Sequence, residues 1–204
     1  MVLIKQKTFP SAQGEGQKGT KMKLNRLIEE THVTADGFQA LKDFAKMSQS
    51  SGEKRSVIVS SLSPAVNMEQ GVHMYYAPVL PRGVVFNTAE DVKNADLDVN
   101  FVCVSLGLEA DRYANKMIVS RHAGTVEILR EMYPDAVVLT VNIKPEDIEG
   151  AFVVGTLPPH LIQFAGSYQA VTIRDFDYAK DGDLTGEELK SRIHISAPIQ
   201  VVVS

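Results

Sequence analysis

The sequence predicts an α/β fold: a Rossmann-like, mostly parallel sheet with crossover helices, preceded by an N-terminal α/β extension. Three observations predict it. Short β-branched or apolar runs, VIVSS from Val57, FVCV from Phe101, MIVS from Met117 and AFVV from Ala151, read as buried strands. From Met117 onward such runs alternate with stretches whose apolar residues recur at helical spacing, and that alternation implies parallel strands joined by helical crossovers. The chain has 204 residues, 44% of them hydrophobic, which suffices for a sizeable core.

Taken in order, residues 1–21 form a polar, glycine-rich lead around PSAQGEGQKGT, read as flexible. Residues 22–116 form an N-terminal α/β segment of unassigned role. Met22 to Ile28 and Gly37 to Met47 carry helical spacing (Phe38, Leu41, Phe44, Ala45), and Ser48 to Gly52 breaks it. Strands follow at Val57–Ser60 and Phe101–Val104. Between them, His73, Tyr75 and Tyr76 lie among Pro64, Pro78 and Pro81, a pattern of loops with short edge strands near Val84 to Phe86.

Residues 117–204 form the ligand-binding module. MIVS is a strand; GTVEILREMY is a helix with Val126, Leu129 and Met132 on one face; AVVLTVNI is a strand. KPEDIEG is a helical turn opened by Pro145, AFVV a strand, PPHLIQFAG a helix that Gly166 can end, and AVTI a further strand. A helix from Thr185, with Glu188 completing a capping box, and a strand over Ile199 to Val203 close the chain.

Composition limits the partners. Lys plus Arg total 21 against 25 for Asp plus Glu, a net charge of -4, which argues against sequence-blind binding to long nucleic acid. A small anionic ligand held by local donors is compatible with it. Cys103 is the only cysteine, so no intramolecular disulfide can form, and its apolar run predicts a buried thiol in a reducing, cytoplasmic setting. No run approaches the roughly 20 apolar residues of a membrane span. The opening MVLIKQK is too short for a signal peptide.

Two strand-to-helix loops carry the candidate chemistry, since open parallel sheets bind ligands beyond the carboxyl ends of their strands. In Ser120-Arg121-His122-Ala123-Gly124-Thr125 the coming helix start presents unpaired backbone N–H groups to an anion. Arg121 adds a fork of donors and His122 a group suited to proton transfer near neutrality. The alternative is structural: Arg121 pairs with an acid, His122 is a satisfied polar residue and Thr125 caps the helix. In Gly155-Thr156-Leu157-Pro158, glycine permits close backbone approach, the prolines stiffen the turn, and Thr156 can donate to a phosphate. An ordinary turn, with His160 exposed beyond it, is the alternative there.

Other motifs fall away. Asp177, Asp181, Gly182, Asp183 and Glu188 match calcium-loop positions, but Ala179 occupies another ligand position and the preceding segment reads as strand. The five histidines are scattered, so no metal site is expected. No Walker loop occurs, and the GxGxxG of Gly14, Gly16 and Gly19 sits in the polar lead rather than between a strand and a helix, so no Rossmann fingerprint is present and neither an ATP nor an NAD cofactor is expected.

With those loops in place, MIVSRHAGTVEILRE, VNIKPEDIEGAFVVGTLPPHLI and DGDLTGEEL together make residues 117–204 resemble the CRISPR-associated Csx-sixteen family of type III systems, associated with ring-nuclease activity. The resemblance implies a protein that binds a cyclic oligoadenylate, a second messenger of prokaryotic antiviral immunity, and lowers its level by metal-independent phosphodiester cleavage. It places Ser120, Arg121, His122 and Gly124 on one wall of the site and Gly155, Thr156, Leu157 and Pro158 on another. Arg121 and His122 would be catalytic, with backbone N–H groups of Ala123 and Gly124 assisting. A rotationally symmetric ligand further implies a homodimer or larger homo-oligomer. The chain departs from the family in carrying Ile128, rather than an aromatic residue, after Glu127, and in its 116 residues before Met117. Two alternatives stay open: a sponge that sequesters a cyclic nucleotide uncut, and a histidine phosphatase, whose Arg-His-Gly start is interrupted here by Ala123.

Overall fold

Alternating valines set the first strands. In the computed structural model, which describes residues 21–47, 54–81, 83–175 and 184–204, α1 (Leu24–Glu30) precedes β1 (His32–Asp36) and α2 (Gln39–Met47) precedes β2 (Ser56–Ser60). Val33, Val57 and Val59 point to one face, where Leu24, Leu41 and Phe44 of the two helices cover them. Next come α3 (Pro64–Glu69), β3 (Met74–Pro78), α4 (Ala89–Ala95) and β4 (Val99–Leu106). Ser63 caps α3 ahead of Pro64, and Thr88 with Asp91 forms a capping box on α4.

The remaining elements are β5 (Lys116–Val119), α5 (Ala123–Met132), β6 (Val137–Leu139), α6 (Pro145–Ile148), β7 (Phe152–Gly155), β8 (Ser167–Ile173), α7 (Gly186–Arg192), β9 (Ile193–Ile195) and β10 (Ile199–Val203). All the strands belong to one sheet, ordered β1-β2-β3-β4-β10-β8-β7-β5-β6, with β9 paired to β8 off that path. β1 to β3 are parallel, as are β8, β7, β5 and β6; antiparallel β4 and β10 join the two sets. The fold is therefore the expected α/β, Rossmann-like, mostly parallel sheet with interspersed helices.

Consecutive residues of β5 and β7 face opposite sides of this sheet, which divides the core. Val119 and Val153 join Tyr75, Val102, Tyr168 and Val201, while Ile118, Phe152 and Val154 pack beneath Leu129 of α5. Burying each such large side chain contributes about 1.5–3 kcal/mol.

Several expectations need correction. The first helix lies two residues later than its pattern, β1 forms between the two predicted helices, and α3, β3 and α4 add regular structure in the stretch between Ser60 and Phe101 that seemed irregular. No strand forms at Val84 to Phe86, where Val84 and Val85 are exposed. AVVLTVNI is a strand only over β6, because Asn142 turns the chain with φ 51°. PPHLIQFAG makes turns and a 3-10 segment, Ile162–Phe164, rather than a helix, and its end is drawn against the start of β7, where Gly166 donates its N–H to the Ala151 carbonyl. Met132 is exposed, so the apolar face of α5 centres on Leu129. Cys103 is half-buried, its strand partners Met74 and Val202 being exposed. Thr185 is the N-cap of α7, but no side chain completes a capping box. The lead, apart from Lys21, the break at Ser48 to Gly52, and Asp177, Asp181, Gly182 and Asp183 lie outside the described residues.

Candidate functional site

Parallel strands β6, β5 and β7 send their carboxyl ends to one end of the sheet. The chain passes from β5 through α5 to β6 on one side, then crosses back to β7 on the other. That reversal of direction beside β5 opens a crevice between the following loops, the place where open α/β sheets bind ligands.

The first loop is Ser120 to His122. Ser120, buried at the end of β5, donates its own N–H to Leu139 (3.3 Å) and accepts at Oγ from the His122 N–H (3.1 Å). This turn sets His122 as N-cap of α5 with no side-chain cap bond, and the helix's first N–H groups, which have no intrahelical partner, set up a field that favours an anion. Arg121 and His122 are exposed, projecting beyond the turn.

The second loop follows β7. Gly155 has φ +135°, and a Cβ there would lie 2.0 Å from the Val119 carbonyl oxygen. Thr156 donates its N–H to that same oxygen at 2.9 Å, so the loops after β5 and β7 are laced together. The phenol of Tyr168 on β8 donates to the Gly155 carbonyl (2.9 Å) and accepts from the Leu157 N–H (3.3 Å). Burial pushes this phenol up to about 12, holding it as the neutral donor.

Between these loops and the turn after β6 lies a cavity of about 690 Å³, within the usual range for small-ligand pockets. Ser120, Arg121 and His122 line one side and Thr156, Leu157, Pro158, Pro159 and His160 another. Thr140, Val141, Asn142 and Ile143 contribute the third wall. Among the described residues lining the cavity none is acidic, while Arg121, His122 and His160 all face it. In a chain with net charge -4 this is a local excess of donors and positive field.

Six of the residues named from the sequence, Ser120, Arg121, His122, Thr156, Leu157 and Pro158, therefore meet at one cavity. Gly155 lies just behind it, occupied with strand contact. Gly124 and Thr125 are buried in the first turn of α5, and a Cβ on Gly124 would meet the Leu184 carbonyl oxygen at 3.0 Å, so Gly124 serves the approach of α7. Ala123 faces a neighbouring depression. The sequence reading missed the Thr140 to Ile143 wall because those residues continue an apolar run; Asn142, which tolerates left-handed backbone, ahead of Lys144-Pro145 was the available signal. His160, read as an exposed residue on a helix, stands at the cavity rim.

Among the described residues no helix is long and apolar enough to cross a membrane. No family model matches the chain, and neither a curated protein nor a solved structure matches it.

Proposed function

We propose that this cavity binds a cyclic oligoadenylate and opens the ring by phosphodiester cleavage. The observation that carries the reading is the cavity itself: a guanidinium and two imidazoles, one of them on the N-cap of α5, line it without an acidic residue. Such a lining complements phosphate, and the resemblance of residues 117–204 to the ring-nuclease family supplies the ligand class.

The chemistry needs geometry, charge stabilisation and proton transfer. A ribose 2′-oxygen attacks the adjacent phosphorus, the bond to the 5′-oxygen breaks, and the products carry a 2′,3′-cyclic phosphate and a 5′-hydroxyl. His122 takes the 2′-hydroxyl proton or supplies one to the leaving 5′-oxygen. Arg121 and the N–H groups opening α5 stabilise the phosphorane oxygens, while Ser120 and Thr156 position the phosphate. A two-fold assembly of chains suits the symmetry of a cyclic ligand.

Incubation with cyclic tri-, tetra- and hexa-adenylate in EDTA, with products resolved by mass spectrometry, tests this. Linear products ending in 2′,3′-cyclic phosphate are expected, reduced about 100-fold in His122→Ala and about 100- to 1,000-fold in Arg121→Ala. Recovery of intact bound ligand makes the protein a sponge; neither binding nor cleavage sinks the assignment.

A further inference from the structure

Across Arg121 from the cavity, a second depression of about 620 Å³ runs over α5 towards edge strand β6. The two share Ser120, Arg121 and Thr140, so Arg121 stands on the saddle between them. Ala123, Val126 and Val138 give the groove aliphatic walls, and Glu127, Arg130 and Glu131 stand along it from the same side of α5. At 1.5 Å per residue, Arg130 is roughly 10 Å along the axis from the helix start.

The charges on this helix are not all alike. Glu131 is held by Lys190 at 3.7 Å, and elsewhere Arg26 and Arg192 pair with carboxylates on their own helices, Glu30 at 2.7 Å and Glu188 at 3.5 Å. Among the described residues, the side chains of Arg121 and Arg130 make no ion pair or hydrogen bond. Two guanidiniums without protein anions thus mark the saddle and the far part of one continuous concave surface. The cavity itself touches only the first of them.

We propose that the ligand continues across Arg121 into this groove, so that the site takes at least two nucleotide units. Arg130 holds the phosphate of the unit beyond the reacting one. The aliphatic walls take its base or sugar, and Glu127 accepts from a hydroxyl or amine of that unit. The inference rests on reading the cavity as a nucleotide site.

Calorimetric titration of the wild type, Arg130→Gln and Arg121→Gln with AMP, the linear dinucleotide pApA and cyclic tetra-adenylate tests it. The wild type is expected to bind pApA about tenfold more tightly than AMP, a charge-assisted contact's worth. Arg130→Gln, an exposed substitution, should remove most of that gain and leave AMP within about twofold; Arg130→Lys should restore part of it, and Arg121→Gln should weaken both ligands. Equal wild-type affinity for AMP and pApA, or a gain untouched by Arg130→Gln, overturns the inference. Failure to bind cyclic tetra-adenylate with the pApA gain intact overturns the proposed function and leaves the two-unit groove standing. Binding of none of the three overturns both.

Discussion

Gly155 shows how one residue constrains the site. Glycine in that loop reads from sequence as room for a ligand, but the structure uses the missing side chain to let the end of β7 meet the Val119 carbonyl of β5. Its φ of +135° is a conformation that L side chains rarely adopt, and a Cβ would stand 2.0 Å from that oxygen. Gly155→Ala should therefore cost about 3 kcal/mol, read as a lower urea midpoint with an unchanged slope. A midpoint equal to that of the wild type would show that β5 and β7 part without penalty, and the lacing of the two loops would have to be abandoned.

At the scale of elements, the loop after β7 is tied down by the neighbouring strand. Tyr168 bridges the Gly155 carbonyl and the Leu157 N–H from β8, and its removal leaves both groups buried and short of a partner. Tyr168→Phe should cost about 2 kcal/mol at neutral pH. The same burial sets a pH response. The phenols of Tyr168 and Tyr75 are raised by desolvation from 10.0 to about 12. Between about pH 10 and 12 the folded chain keeps protons that the unfolded chain has released. The associated stability is thus complete below pH 10 and is lost as pH rises towards 12. Denaturation midpoints measured from pH 8 to 12 should fall over that window, less steeply in Tyr168→Phe than in the wild type. An equal slope in the two proteins would remove Tyr168 from the account.

For the whole molecule the decisive strand is β10. It pairs with β4 along its length and meets β8 at Ile199–Tyr168, so the last strand joins the two parallel sets into one sheet. Val201 sits at that seam, 4% exposed and packed in the same cluster as Tyr75, Val153 and Tyr168. Val201→Asp buries an unpaired carboxylate there and should destabilise by about 4 kcal/mol. Hydrogen exchange should then accelerate in β3 and β4 as well as in β7 and β8. Protection lost only next to β10 would mean that the two sets hold their structure independently.

How much of this was legible in the chain follows from the range of each physical signal. The runs at Val57, Phe101, Met117, Ala151 and Ile199 announced β2, β4, β5, β7 and β10, because alternation and β-branching act within a few residues. Helical spacing did the same for α2 and α5, and together they placed Ser120, Arg121, His122 and Thr156 on loops at strand ends. β1 and β3 escaped notice because HVTAD and MYYAP mix polar, aromatic and proline residues, and become strands by pairing with β2 and β4. Tertiary structure alone decided that β6 and β7 flank β5, which brings Thr140 to Ile143 and His160 to the cavity and puts Arg121 on its saddle. That order depends on strand pairings between distant segments, such as Val102 with Val203. A local pattern records that a face must be buried, while the identity of its neighbour is settled only when the whole sheet assembles.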